Sequence, residues 1–318
     1  MRSLGARGTI PLVALALIGA PAGCGEDDPE PSPTQAADAP GAGGLLAWAI
    51  ASNPGDLDPL RATTREAQLV TLQVHEPLVQ SLSGPFGSVR RMPGLASASS
   101  SAANDTIWSF TLRQGVRFHD GSRFNAAAVV ANAERWRADP SGRALMGDVF
   151  ATDAPRPDLV RFFLEQPDPD FPERLSTPRT GIVSPRAIGP LGSSRLRREL
   201  RSGSGPFELR ERDADSVLVA RNLSWWGTAR GLGPELDQVE FRVVADAEDR
   251  LALLQAGDVQ VAERLGPGQA RAAREDPLLD VLPGSRGSLA MQRSVRGITT
   301  ARELPSLSGV WVTRVMPG

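Results

Sequence analysis

Few residues in this chain have the types and spacing that catalysis needs. The only histidines are His75 and His119, and neither has the three or four close donors that a metal site takes. Asp168-Pro169-Asp170 starts like a calcium loop but lacks its later ligand positions. No G-x-S-x-G elbow, Walker loop or zinc signature occurs. These absences predict no metal, no cofactor and no enzymatic activity. The one residue marked for covalent chemistry is Cys24, which as a single cysteine cannot form an intrachain disulfide.

The surroundings of Cys24 say what that chemistry would be. Arg2 and Arg7 form a basic start, followed by the apolar run Ile10–Ala20 of 11 residues. Crossing a bilayer takes about 20 apolar residues, so the run reads as a secretory signal. Pro21-Ala22-Gly23 before Cys24 resembles a bacterial lipobox, in which the thiol is lipidated and becomes the mature N-terminus, although Pro21 stands where an aliphatic residue is usual. The alternative is an ordinary signal peptide with an incidental cysteine. Residues 1–23 are thus expected to be a lipoprotein signal peptide. Residues 24–44 are polar, Pro/Gly/Ala-rich and aperiodic, and are expected to form a disordered tether. About 20 flexible residues span on the order of 25 Å, enough to hold a folded body just off a membrane.

Bulk properties narrow the function further. The chain has 318 residues, 41% of them apolar, and a formal net charge of −2. It can bury a sizeable core, and its charge balance points to no nucleic-acid partner. All 35 basic residues are arginine, and lysine and tyrosine are absent. With abundant Ala, Gly and Pro this reads as genome composition, not phosphate recognition.

The elements that would carry a site follow from periodicity. Leu45–Ala51 is an apolar run suited to a buried strand, broken by Ser52-Asn53-Pro54-Gly55. Thr64 caps a helix from Arg65 to Glu76, and Leu78–Leu82 reads as a strand with a turn at Ser83–Phe86. Ser97–Asn104 reads as a loop. In Trp108–Leu112, alternating Trp108, Phe110 and Leu112 predict a half-buried strand. A second strand, Val116–Phe118, would complete a hairpin, ended by the turn His119-Asp120-Gly121. Asn125 caps a helix Ala126–Ala138 with Val129, Val130, Ala133 and Trp136 on one face. Asp158–Glu165 and Ile182–Ser184 read as strands, and Gly189–Arg201 as a surface connection. Phe207–Glu211 and Val217–Arg221 form a hairpin about Asp213-Ala214-Asp215. Gln238–Val244 is a strand, Asp246 caps a helix through Ala256 that Gly257 ends, and Asp258–Ala262 returns as a strand. Alternating strands and helices with two hairpins indicate an α/β chain.

Several of these blocks together resemble one family. Leu57-Asp58-Pro59 precedes a helix ending in Glu76-Pro77-Leu78. Trp108–Gly121 reads WSFTLRQGVRFHDG. Gly203-Ser204-Gly205-Pro206-Phe207 is followed by Arg221-Asn222-Leu223-Ser224-Trp225-Trp226, and then by Leu253–Val261. In this order they resemble the family 5 extracellular solute-binding proteins, the oligopeptide-, dipeptide- and nickel-binding components of ABC importers. The resemblance implies a periplasmic-binding-protein-like fold of type II, cluster C, closing on its ligand like a hinged trap. Residues 45–265 would be its N-terminal lobe with a mixed sheet, carrying an accessory subdomain over about 78–185. Residues 266–318 would be a shortened C-terminal segment with a closing strand, resembled by Val295–Ile298 and Leu307–Trp311, so the second lobe is expected to be incomplete. By the same resemblance the loop Ser52, Asn53, Pro54 lines the cleft and offers backbone groups to an extended ligand. The turn Gly205, Pro206, Phe207 is the other candidate wall, and Trp225-Trp226 is packing near the hinge. The implied partners are a peptide or similar small solute, ABC permease subunits, and the membrane through the lipid on Cys24. A non-transporting surface lipoprotein or scaffold, or a truncated gene product, is the alternative.

Overall fold

The computed structural model describes residues 43–83, 89–188, 202–230, 233–234, 236–282 and 288–292. The expected signal peptide, Cys24, most of the tether, the turn after Ser83, the connection Gly189–Arg201 and the segments at Val295–Ile298 and Leu307–Trp311 lie outside these residues. Among the described residues no helix is long and apolar enough to cross a membrane.

Strand β1 (Leu45–Ile50) is the centre of the larger sheet because both of its faces are buried. Leu46, Trp48 and Ile50 face one cluster, and Ala47 and Ala49 the opposite one. This two-sided burial is what a continuous apolar run predicts for a parallel strand. Burying a side chain such as Trp48 contributes about 2–3 kcal/mol. On the large-residue face lies helix α1 (Arg65–Val74), capped by Thr64, which accepts from Ala67 N at 3.1 Å, and packing Leu69, Val70 and Val74. The small alanines on the other face let two more helices approach. These are α6 (Ala247–Ala256), capped by Asp246 and closed by left-handed Gly257, and α7 (Pro267–Glu275).

The sheet has seven strands. β1 pairs in parallel with β10 (Gln238–Val243) and β11 (Val261–Leu265). Antiparallel strands extend it on both sides: β9 (Ser216–Arg221) and β8 (Phe207–Arg212) beyond β10, β13 (Ser288–Gln292) and β12 (Leu279–Leu282) beyond β11. β11 begins at Val261, later than the expected Asp258. The amides of Asp258 and Val259 are taken up by Leu253 O as the chain leaves α6.

Between α1 and β8 the chain builds a four-stranded antiparallel sheet in the order β4-β5-β7-β6, from β4 (Ala96–Ala102), β5 (Ile107–Leu112), β7 (Leu159–Leu164) and β6 (Val149–Arg156). A two-stranded pair, β2 (Val79–Ser83) and β3 (Val89–Pro93), precedes it. Trp108, Phe110, Leu112, Val160, Phe162 and Leu164 form the inner face, against Val129, Ala133 and Trp136 of α2 (Ala126–Ala138). The short helices α3 (Pro140–Met146), α4 (Phe171–Arg174) and α5 (Pro185–Ile188) complete this layer.

Four expectations need correction. Ser97–Asn104 is largely strand β4, an edge strand whose Ser/Ala side chains are nearly all exposed, so no alternation marks it. β5 makes no hairpin with Val116–Phe118: its neighbours are β4 and β7, and the later segment forms only the bridge Arg117–Arg123. Ile182–Ser184 is not a strand, because its polar groups go elsewhere; Asn132 holds Val183 at both N–H and C=O, and Pro185 opens a helix. Helix α1 stops at Val74, with His75 extended, two residues before Pro77.

Candidate functional site

The Ser52–Pro54 loop leaves the carboxyl end of β1. In open α/β sheets, ligands bind outside the carboxyl ends of the parallel strands. Ser52 is exposed, Asn53 half-buried and Pro54 buried. The Asn53 side chain shapes the loop: Nδ2 donates to Ala214 O at 2.7 Å and Asp213 O at 3.3 Å, while Oδ1 accepts from Gly55 N at 2.8 Å. Arg212 also donates to Gly55 O. The neighbour of the loop is therefore the tip of the β8–β9 hairpin. Val244 N bonds Ile50 O at 2.9 Å, so β1 and β10 end together beneath it.

Gly205, Pro206 and Phe207 lie elsewhere. Phe207 pairs with Arg221, which follows the chain to Gln238 and Leu45 at the amino end of β1. The two expected walls thus sit at opposite ends of the sheet and do not converge. All three residues are buried and Phe207 belongs to the core. Gly205 N donates to Val74 O at 2.9 Å, and Gly205 O accepts from Asn222 Nδ2 and His119 Nε2, each at 3.0 Å. Pro206 O accepts from Asn222 N at 2.8 Å. A Cβ at Gly203 would lie 1.9 Å from Val74 O, and one at Gly205 2.5 Å from Gln73 O. The glycines are there because two backbones touch.

Around that contact the chain gathers its buried titratable groups. His75 Nε2 lies 2.9 Å from Ser202 Oγ, and His119 N donates to Gly203 O at 2.7 Å. Burial, reinforced by His119 and Arg135, lowers the His75 imidazole to about 3. The neighbouring Glu76 carboxyl is pushed up to about 8 by burial, against hydrogen bonds from Trp226, Trp225 and Ser204 and the charge of Arg113. Trp226 Nε1 reaches Glu76 at 3.0 and 3.1 Å, Ser204 Oγ at 3.1 Å, and Arg113 stacks 4.1 Å above the Trp226 ring. Asp58 in turn caps a 3-10 turn and pairs with Arg135 of α2. The histidines are thus packing and hydrogen-bonding residues. Among the described residues no group of three or more His, Cys, Asp or Glu could hold a metal.

Sequence reasoning did not foresee that the hairpin tip Asp213–Ala214 would be the loop's neighbour. The only signal was the polar Asp-Ala-Asp turn, which nothing in the sequence places beside residue 53.

Residues 91–300 match the family described as bacterial extracellular solute-binding proteins, family 5 Middle. The chain is 31% identical over 239 residues to the glutathione-binding protein GsiB of Escherichia coli O6:K15:H31, covering 74% of this chain and 45% of that protein. In three dimensions it is similar to the periplasmic binding protein AgaA of A. tumefaciens R10, solved with agropinic acid, with a TM-score of 0.67, 24% identity, and coverage of 75% of this chain and 48% of that one. It is also similar to the periplasmic binding protein DppA of Helicobacter pylori, solved with the peptide STSA, with a TM-score of 0.65, 22% identity, and coverage of 76% and 50%. The chain belongs to the bacterial extracellular solute-binding proteins of family 5, a family of binding proteins and not of enzymes. It spans about half the length of these relatives.

Proposed function

We propose that this chain is the solute-capturing part of an ABC importer, taking up peptides or similar small solutes outside the cytoplasm. The observation that carries this reading is the Ser52–Pro54 loop at the carboxyl end of the central strand of a family 5 fold. In this reading Ser52, Asn53 and Pro54 present backbone groups to an extended ligand. The buried Gly205-Pro206-Phe207 turn supports the lobe from the opposite end. Residues 1–23 act as the signal peptide and Cys24 carries the lipid, with residues 24–44 as tether. Residues 45–265 form the N-terminal lobe, including an accessory subdomain over about 78–185, and residues 266–318 return the chain to it. ABC permease subunits receive the loaded protein.

The names of the relatives supply the first probes: glutathione and short peptides. A ligand that binds only the folded state stabilises it by about 2.7 kcal/mol at a hundred times its Kd. Thermal denaturation with millimolar glutathione and with di- to pentapeptides is expected to raise Tm for at least one of them. No rise across the set would refute the capture of peptides.

A further inference from the structure

A second group of charged residues sits at the same end of the sheet. Glu263 and Arg264 follow Ala262, the last β11 residue paired with β1. The register with β13 slips between Ala262 and Leu265, and Arg264 takes a left-handed φ of 54°. Such bulges re-aim side chains. Here two consecutive residues, which in a regular strand would face opposite ways, both reach the first turn of α1. Arg264 Nη1 donates to Glu66 Oε1 at 2.7 Å, and Arg65 Nε donates to Glu263 Oε2 at 3.2 Å.

The strained turn is held from behind. Arg250 Nε and Nη2 donate to Glu263 O and Arg264 O at 2.9 and 3.0 Å, and Nη1 to Val244 O and Ala245 O at 2.6 and 2.9 Å. One buried guanidinium therefore ties the ends of β10 and β11 together, and Val244 N continues the tie to Ile50 at the base of the Ser52–Pro54 loop. Strain kept in this way is characteristic of working sites.

The two signs of charge are sorted by depth. The Glu66 and Glu263 side chains are 2% and 0% exposed, whereas those of Arg264 and Arg65 are 41% and 20% exposed. The remaining guanidinium nitrogens of Arg65 and Arg264 make no hydrogen bond among the described residues. Glu263 Oε1 is buried without a partner, and burial raises the affinity of this carboxyl for a proton. Solvent thus meets two braced guanidiniums at the amino-terminal turn of α1, whose own dipole also favours an anion.

We propose that Arg264 and Arg65, braced by the buried Glu66 and Glu263, form a subsite for the carboxylate of the ligand, so that the protein selects solutes ending in a free carboxylate. This rests on the capture function proposed above and names the chemical class it selects. Guanidiniums suit the role because they bind carboxylates through paired N–H donors.

The test compares trialanine with trialaninamide by calorimetry on the intact chain and on two variants. Arg264→Asn tolerates the left-handed backbone. Arg264→Asn combined with Glu66→Gln also avoids leaving a buried carboxylate unpaired. The wild-type chain is expected to bind the free acid about tenfold more tightly than the amide, and the ratio to fall to about one in both variants. Equal binding of acid and amide by the wild type, or an unchanged ratio in the folded double variant, would overturn the subsite while leaving solute capture standing. Failure of both peptides to bind would count against both readings.

Discussion

The two ends of β1 are built on opposite terms. At its amino end, Gly203, Gly205, His75, Glu76, His119 and Trp226 form a closed knot in which backbone touches backbone and polar groups are spent on one another. At its carboxyl end, Ser52 and the guanidiniums of Arg65 and Arg264 remain partly exposed, and a non-glycine residue holds a left-handed backbone. The more strongly patterned segments, GSGPF and the tryptophan pair, belong to the closed end. Patterning there reports tight packing: a glycine is dictated wherever a Cβ would overlap a carbonyl. The open end is less patterned because an exposed loop tolerates many residues.

The sharpest way to break this contrast is at the closed end. Gly203→Ala puts a methyl group into Val74 O, and is expected to cost about 3 kcal/mol or more in urea denaturation. A loss of less than 1 kcal/mol, by the scale typical of surface changes, would show that the knot yields easily.

The titration of the knot is the next test. Between about 3 and 6.5 the unfolded chain holds a proton on His75 that the folded chain lacks, so this group makes stability rise with pH. Between 4.5 and about 8 the folded chain holds a proton on Glu76 that the unfolded chain has released, so this group makes stability fall as pH rises. The two oppose each other from 4.5 to 6.5. Above that window Glu76 is no longer opposed by His75, and its contribution to stability should drop by about 2 kcal/mol up to pH 8, at about 1.4 kcal/mol per unit. Glu76→Gln, which keeps an acceptor for Trp226, should flatten the profile over that range; an unaltered slope would place the titration elsewhere.

The smallest effect is expected at the open end. Asn53→Ala removes hydrogen bonds at a half-exposed position and should lower stability by about 1 kcal/mol. Its larger consequence should be for peptide binding, read as a reduced Tm shift at fixed ligand concentration. A variant with full stability loss but unchanged shift would make the loop a packing element like the glycines at the other end.

Much of the architecture was legible in the sequence. The alternation in Trp108–Leu112 and Asp158–Glu165, the caps Thr64, Asn125 and Asp246, and the stop at Gly257 are all local, and all recur in the structure. β4 was not legible because a sheet edge made of serine and alanine carries no period. Val116–Phe118 misled because its apolar residues face a core without joining a ladder.

Local patterns therefore determined most of the elements, and the motifs they carry pointed to the family; the Ser52–Pro54 loop as the place to look for a ligand came from that resemblance. Only the tertiary structure decided that Gly205-Pro206-Phe207 lies at the far end from that loop, and that Arg65 and Glu66 meet Glu263 and Arg264, nearly two hundred residues away. The reason is physical. Which end of a strand a residue occupies depends on sheet register, and register is set by pairings between distant segments that no local pattern encodes.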